Sequence, residues 1–128
     1  MGVFHVDAEV AGIRGRRPPV PVRGLLVDSG SQFSWIPEMI LRSAGVRVVK
    51  KDLTFVMANG QSVTRSTGYA ILRAAGFETV DEVVFGQPGD LSLLGARTLE
   101  GFGASVDARR KRLVAAGPNV AAPGGGQS

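Results

Sequence analysis

Cysteine is absent from this chain of 128 residues, and aromatic residues make up only 6% of it. The absence of cysteine excludes disulfides, thiol nucleophiles and thiolate metal sites, and it is typical of proteins in a reducing compartment. The single histidine, His5, stands on the polar side of a predicted strand and has no cluster of ligating residues beside it. We therefore expect a solvated His5, no metal site and no cofactor.

Long hydrophobic runs are also missing. The chain has no stretch near the ~20 apolar residues that a membrane span requires. Its first residues lack the basic and apolar regions of a signal peptide. These absences favour a soluble, cytoplasmic protein that makes no membrane contact.

Positive charge is in modest excess, with 15 Lys and Arg residues against 11 Asp and Glu, and the surplus is concentrated in two runs, 14–17 and 109–112. Such runs can contact phosphate, so a nucleic-acid-binding protein is one alternative, recognisable by strongly salt-dependent binding. However, no nucleic-acid-binding module accompanies the runs, and few aromatic residues are present to stack on bases. We interpret the runs as a solvated turn and a charged edge strand, and we expect no nucleic-acid partner.

The remaining composition favours a single β-rich domain. A length of 128 residues is typical of one domain, and the apolar residues, 44% of the chain, occur in short runs separated by glycine. Apolar alternation predicts strands at 4–12, 22–27, 53–57, 62–67, 69–74, 77–84, 91–94 and 104–114. Helical spacing predicts short helices within 33–44 and over 96–102. We therefore predict an all-β, barrel-like domain with one or two short helices over 1–115, followed by a Gly/Pro-rich disordered tail at 116–128.

One carboxylate directly follows the most apolar predicted strand. Asp28 comes after the run 25–27, which is typical of a strand buried on both faces, and it precedes Ser29, Gly30 and Ser31. Burying an ionised group without partners costs several kcal/mol, so Asp28 needs hydrogen-bond donors. The two serine hydroxyls and the backbone N–H groups near the glycine can supply them. Taken alone, the pattern also fits an Asx-turn or a helix N-cap.

Two further segments stand at definite places after this turn. Asn59-Gly60 is a strong signal for a two-residue hairpin turn between predicted strands, although alone it would indicate only an ordinary turn. The segment Leu93-Leu94-Gly95 lies about 65 residues after Asp28 and is a second apolar strand that ends at glycine. None of these segments is specific alone, and it is their order along the chain, with the turn first, then the hairpin and then the second strand, that indicates a functional site.

Together these segments resemble the motifs of the retropepsin-like aspartic peptidases. The run 25–31 resembles their hydrophobic-hydrophobic-Asp-Thr/Ser-Gly-Ala/Ser signature, and 93–95 resembles their second hydrophobic-hydrophobic-Gly motif. The segment 83–88 resembles the strand and loop before that second motif, and the resemblance covers about residues 4 to 114. The residues that fall where the family places its flap are Met57, Ala58, Asn59, Gly60 and Gln61. The chain departs from viral members, which often carry another acid after the turn and a Gly-Arg pair after the second motif, because it has Gln32 and Ala96-Arg97 there.

The resemblance implies a small closed-barrel-like retropepsin (acid protease) domain, one lobe per chain, and an aspartic endopeptidase activity. Family members cut peptide bonds with two aspartates that share one proton and activate a water. Only Asp28 is followed by Ser/Thr-Gly here, so the resemblance implies a homodimer in which a second copy supplies the second carboxylate. Ser29, Gly30 and Ser31 would support the catalytic turn, and the flap would close over an extended polypeptide substrate. The alternative is a catalytically inactive dimeric binding or scaffold domain of the same fold.

Overall fold

The computed structural model describes residues 3–118, of which 52% are in strands and 11% in helices. Two short helices are present, α1 (Glu38–Ser43) and α2 (Ala96–Phe102). The strands are β1 (His5–Gly12), β2 (Val20–Val27), β3 (Ser34–Pro37), β4 (Lys50–Val56), β5 (Ser62–Ala74), β6 (Phe77–Gly86), β7 (Leu93–Leu94), β8 (Ala104–Asp107) and β9 (Arg112–Ala115). This mostly β content agrees with the all-β prediction.

The larger sheet closes on itself. Its strand order is β1-β2-β7-β3-β6-β5-β4, and β1 also pairs with β5, so six strands form a ring to which β4 is attached. Most pairs are antiparallel, but β2 pairs with β7 and β3 pairs with β6 in parallel. β8 and β9 form a separate antiparallel hairpin. The parallel pairs bring together segments that are far apart in the sequence, and the candidate site lies beside them.

All six strands of the ring contribute to the main hydrophobic core. Its fully buried side chains come from β1, β2, β3, β5, β6 and β7. The largest of them are Val10, Val22, Leu25, Ile36, Leu72, Val83, Phe85 and Leu94, with Leu41 from α1. A second, smaller cluster is built around Trp35, Val84 and Leu93. This second cluster packs against the candidate site.

The prediction of helical structure over 33–44 is wrong for its first half. Residues Ser34–Pro37 form β3, in which Trp35 and Ile36 pair in parallel with Val84 and Phe85 of β6. The helix starts only at Glu38, directly after Pro37. Periodicity in a short apolar run does not separate a buried strand from a helix, and sheet pairing decided the outcome.

Two strand boundaries also differ from the predictions. The runs 62–67 and 69–74 form one strand, β5, because Gly68 does not break it. A Cβ at Gly68 would overlap the backbone oxygen of Arg47, so this glycine serves a close backbone approach inside the strand. The predicted strand 104–114 is instead the hairpin of β8 and β9, so most of the basic run 109–112 forms its turn and not an edge strand.

The remaining differences concern short segments. β2 begins at Val20, two residues before the predicted start, and Leu26 and Val27 are only half-buried, so the strand is not buried on both faces in the single chain. β7 contains only Leu93 and Leu94, while Leu91 is 68% exposed. The predicted tail 116–128 lies mostly outside the described residues, and 116–118 have no regular structure. Among residues 3–118, no helix is long and apolar enough to cross a membrane.

Candidate active site

The Asp28 carboxylate is held by its own turn. Asp28 is half-buried at the end of β2. The backbone N–H of Gly30 donates to its Oδ1 at 2.9 Å, and the Ser31 hydroxyl donates to its Oδ2 at 3.1 Å. Because both oxygens accept a hydrogen bond, the plane of the carboxylate is fixed relative to the turn.

The alternatives left open for this turn are partly resolved. The bond from Gly30 to Asp28 is the contact of an Asx-turn, so that interpretation is correct as local geometry. Asp28 caps no helix, because α1 begins ten residues later with Pro37 at its N-cap. The Ser31 hydroxyl is one of the hydrogen-bond donors that we expected Asp28 to need. Ser29 is exposed, and its side chain makes no hydrogen bond within residues 3–118.

The second motif lies directly beside the Asp28 turn. In the parallel pairing of β2 with β7, Leu26 is opposite Leu93 and Val27 is opposite Leu94. The backbone N–H of Asp28 donates to the carbonyl oxygen of Leu94 at 3.0 Å. The two motifs, about 65 residues apart in the sequence, are therefore adjacent in space.

The loops that follow the two motifs are joined by further backbone hydrogen bonds. The N–H of Ala96 donates to the carbonyl oxygen of Ser31 at 2.7 Å, and the N–H of Arg97 donates to that of Gln32 at 3.0 Å. Gly95 has an ordinary extended backbone, with φ −97° and ψ 177°, so any residue could adopt its conformation. Space is what requires glycine here, because a Cβ would lie 2.8 Å from the Gln32 carbonyl oxygen and still closer to that of Phe33.

The hairpin between β4 and β5 has a three-residue tip, Ala58-Asn59-Gly60. The N–H of Met57 donates to the Gln61 carbonyl oxygen at 2.8 Å, and the N–H of Gly60 donates to that of Met57 at 2.9 Å. Gly60 has φ +85°, whereas Asn59 has a negative φ, so this is a turn followed by one left-handed residue. The prediction of a two-residue turn here is therefore wrong.

A turn of the two-residue kind does occur elsewhere in the chain. It joins β5 to β6 at Ala75-Gly76, where both residues have positive φ, 52° and 85°. Two-residue turns with this geometry match the twist of the flanking strands, which favours them even with alanine at the first position. The sequence thus predicted a hairpin at the correct place but with the wrong turn type.

The predicted flap and the Asp28 turn line one groove of about 830 Å³. The apolar wall of the groove contains Phe55, whose ring contacts Phe33 and Trp35 edge to face, with centroids 5.4 and 5.3 Å away. Met57 and Ala58 of the predicted flap line the groove, whereas Asn59, Gly60 and Gln61 are exposed at the tip. Of the second motif, Leu93 lines it. A groove of this volume, lined by both apolar and polar residues, is large enough for a ligand.

The second acid that lines the groove is occupied by an ion pair. Arg65 of β5 donates to both carboxylate oxygens of Asp90 at 2.8 Å, and the pair is largely shielded from solvent. These hydrogen bonds, together with one from the N–H of Gln87, hold the pKa of Asp90 below its ordinary value of 3.8. Asp28 is therefore the one acid lining the groove, within residues 3–118, that has no cationic partner.

A buried polar network behind the second motif was missed by the sequence predictions. Ser34 and Thr98 are completely buried, with their hydroxyl oxygens 2.6 Å apart. The Ser34 hydroxyl oxygen accepts the N–H of Gly95 at 2.9 Å, and the Thr98 hydroxyl donates to Asp81 Oδ2 at 2.8 Å. A serine within the apolar run 33–36 was the one signal in the sequence that indicated a buried polar contact.

Glu82 of β6 is the one acid among residues 3–118 that is buried. Burial by itself would raise the pKa of Glu82, but the hydroxyl of Thr67 at 2.7 Å and the ammonium of Lys50 at 3.3 Å together hold it below its ordinary value. Glu82 is thus an ionised, paired group in the wall of the ring and not a candidate acid for the groove.

His5 is exposed on β1. Within residues 3–118, no group of three or more His, Asp or Glu side chains could hold a metal ion. A scan against protein-family models and a search of curated proteins each find no match to the chain.

Proposed function

We propose that this chain is one half of a homodimeric aspartic endopeptidase of the retropepsin-like type, with Asp28 as its catalytic carboxylate. The observation that carries the proposal is the position of Asp28, held by two hydrogen bonds and lining the same groove as the β4–β5 hairpin. The adjacency of the two motifs, Val27 opposite Leu94, supports it further. The arrangement corresponds to what the resemblance in the sequence leads us to expect.

The chemistry requires a second carboxylate. The Asp90 carboxylate is paired with Arg65, so the described part of the groove offers only Asp28 as a reactive acid. In the proposed dimer the two-fold axis passes beside Asp28, so the same residue of the second copy supplies the second group. Two carboxylates placed close together cannot both ionise without strong repulsion, so they share one proton, and aspartic peptidases are the best-known example of such a pair.

The proposed reaction uses this shared proton. The ionised Asp28 takes a proton from a water, whose oxygen attacks the carbonyl carbon of the peptide bond. Asp28 of the second copy, which holds the proton, donates it to the carbonyl oxygen and so neutralises the tetrahedral intermediate. The C–N bond then breaks as the first Asp28 gives the proton that it took from water to the nitrogen, while a hydroxyl of the intermediate returns a proton to Asp28 of the second copy. This step leaves a carboxyl group, an amine and the original pair of acids.

Substrate binding would use both the groove and the hairpin. Within residues 3–118, β4 is the last strand in the sheet order, so an extended peptide can pair with the backbone groups along its outer edge. The rings of Phe33, Trp35 and Phe55 would contact the peptide side chains. A hairpin that closes over the peptide would exclude water from the reacting groups.

The test compares the wild-type chain with Asp28→Asn, a near-isosteric change that removes the carboxylate. Asp107→Asn is the matched control, because it makes the same chemical change at a half-buried aspartate in β8 that does not line the groove. An unfolded protein and a peptide library are incubated with each variant at acidic and neutral pH, with and without a transition-state-mimicking inhibitor. We expect cleavage by the wild type and by Asp107→Asn, abolished by the inhibitor, and a loss of about a thousandfold or more in Asp28→Asn.

Two results would reject the enzymatic proposal. One is a wild type that cleaves nothing over the pH range, and the other is an Asp28→Asn variant that cleaves as fast as the wild type. A wild type that binds peptides in the groove without cutting them would favour the alternative of a dimeric binding domain. Mass measurements on the same samples establish whether the chain is dimeric.

A further inference from the structure

A single peptide unit connects the Asp28 turn to the buried polar network. The carbonyl of the Leu94–Gly95 peptide accepts the N–H of Asp28 at 3.0 Å, and its N–H donates to the Ser34 hydroxyl oxygen at 2.9 Å. In a trans peptide these two groups point in opposite directions, so the unit is held from both sides. The position of the peptide under Asp28 therefore depends on what fixes the Ser34 hydroxyl.

The Asp81 carboxylate, at the end of this network, fixes the direction of each side-chain hydrogen bond in it. Both oxygens of Asp81 accept hydrogen bonds, Oδ2 from Thr98 at 2.8 Å and Oδ1 from the N–H of Glu82 at 2.7 Å. Since Thr98 uses its one hydrogen on Asp81, Ser34 must donate its own hydrogen to Thr98 across the 2.6 Å contact. The Ser34 oxygen then has its lone pairs free for the N–H of Gly95.

The result is a chain of hydrogen bonds that all run in one direction. It starts at the N–H of Asp28, passes through the Leu94–Gly95 peptide, Ser34 and Thr98, and ends on the carboxylate of Asp81. Hydrogen bonds in series polarise one another, and a charged acceptor at the end strengthens the bonds before it. Ser34 and Thr98 are completely buried, so water cannot replace a lost partner.

We infer that Asp81 is a positioning residue for the Asp28 turn, acting through Thr98, Ser34 and the Leu94–Gly95 peptide. The inference rests on the proposed function for its catalytic consequence, since it concerns the placement of the proposed catalytic group. Asp81 touches neither the groove nor Asp28 and works only by setting the direction of the intervening hydrogen bonds.

An asparagine at position 81 cannot replace the aspartate in this role. If its oxygen accepts from Thr98, its NH₂ group faces the N–H of Glu82, and two donors meet. If its NH₂ group faces Thr98, the hydroxyl directions reverse and one hydroxyl hydrogen is left without an acceptor in a buried place. Either arrangement weakens the hold on the Leu94–Gly95 peptide.

The experiment compares wild type, Asp81→Asn and Asp107→Asn by amide hydrogen exchange and by kcat and KM on a peptide that the wild type cleaves. For Asp81→Asn we expect the amides of Asp28 and Gly95 to exchange about ten times faster, because local opening becomes easier. We expect kcat to fall about tenfold, the rate change that corresponds to one lost buried hydrogen bond, with KM within about twofold. Asp107→Asn should leave all of these values unchanged.

A second pair of variants keeps the test decisive if Asp81→Asn folds poorly. Thr98→Ser retains the hydroxyl and should preserve kcat and the exchange rates, whereas Thr98→Val removes the hydroxyl and should reproduce the Asp81→Asn losses. In the double variant Asp81→Asn with Thr98→Val, the losses should not add, because both changes interrupt the same chain.

The outcomes separate this inference from the proposed function. If the wild type cleaves and Asp81→Asn matches it in kcat and amide exchange, the inference is overturned and the proposed function stands. Losses that appear equally in Asp107→Asn, or that add fully in the double variant, overturn it as well. If the wild type does not cleave, the proposed function is overturned. Amide exchange still tests the inference in that case, because an unchanged exchange rate at Asp28 in Asp81→Asn would overturn the inferred chain of hydrogen bonds.

Discussion

Gly95 lies so close to the carbonyl oxygen of Phe33 that a Cβ at this position would overlap it. Its backbone is extended, so the requirement for glycine is one of space alone. We expect Gly95→Ala to lower the free energy of unfolding by about 3 kcal/mol, the upper range for overpacking. The control is Gly15→Ala, where no atom lies within 4 Å but φ is +65°, so only about 1 kcal/mol of backbone strain is expected. If urea titrations show that both variants lose the same free energy of unfolding, overlap of the Cβ at position 95 is not the cause of the loss.

The ion pair of Arg65 and Asp90 joins the β4–β5 hairpin to the loop before β7, and it gives a pH-dependent prediction. Hydrogen bonds from Arg65 lower the pKa of Asp90 in the folded chain below 3.8. A depressed carboxyl pKa contributes stability above the unfolded value, and that contribution is lost as pH falls through the folded value. We expect Asp90→Asn to reduce the free energy of unfolding by about 2 kcal/mol at pH 7 and progressively less below 3.8.

Glu78→Gln is the control for the ion pair, because it breaks the exposed pair of Glu78 with Arg73. Exposed pairs contribute little, so we expect a change within ~0.5 kcal/mol at every pH. Urea titrations of both variants between neutral pH and pH 3 make the comparison. If Asp90→Asn lowers the free energy of unfolding by the same amount at every pH down to 3, the ion pair is not the source of that loss.

Phe55 links the edge-to-face rings of the groove wall, and its removal should affect both stability and binding. The side chain is half-buried, so we expect Phe55→Ala to cost about 2 kcal/mol of unfolding free energy, less than for a fully buried phenylalanine. For the proposed peptidase, KM should rise while kcat changes little, because the ring contacts substrate in both the ground and transition states. Phe55→Leu, which keeps most of the volume, should show smaller effects. An unchanged KM in Phe55→Ala would place substrate binding elsewhere.

Subunit mixing tests whether two copies of Asp28 act together. When equal amounts of wild type and Asp28→Asn are allowed to exchange subunits, about half of the wild-type chains pair with a variant chain. The activity should then fall to about half of that of the same amount of wild type alone. The same mixture with Asp107→Asn should lose no activity. Activity that does not respond to Asp28→Asn would contradict a site shared between subunits.

Most of the regular structure could be predicted from local patterns. The alternation of residues 4–12 identified β1, and the spacing of apolar residues after Gly95 identified α2 with its glycine terminus. The failures occurred where local patterns are ambiguous. Trp35 and Ile36 fitted a helix as well as a strand, and Gly68 looked like a break in a strand that continues through it. In both places, contacts with distant segments of the chain made the choice.

The candidate site was predicted in part for a similar reason. Asp28, Ser31 and the second motif follow recognisable local patterns, and the structure places all of them at one end of β2 and β7. Ser29 has no supporting contact within residues 3–118, and the tip at Asn59 has a different turn from the predicted one. Asp81 and Thr98 carry no local signal, because an aspartate in a strand and a threonine in a helix are ordinary.

The sequence by itself determined a mostly β chain, an acid at the end of an apolar strand and a second apolar strand that ends at glycine. These features follow from residue type and spacing, which act over a few residues. Only the tertiary structure decided that β2 and β7 lie in parallel, and that Ser34 meets Thr98, 64 residues away. Such contacts depend on closure of the ring, where backbone groups of distant strands must find partners, and no local pattern encodes which strands those will be.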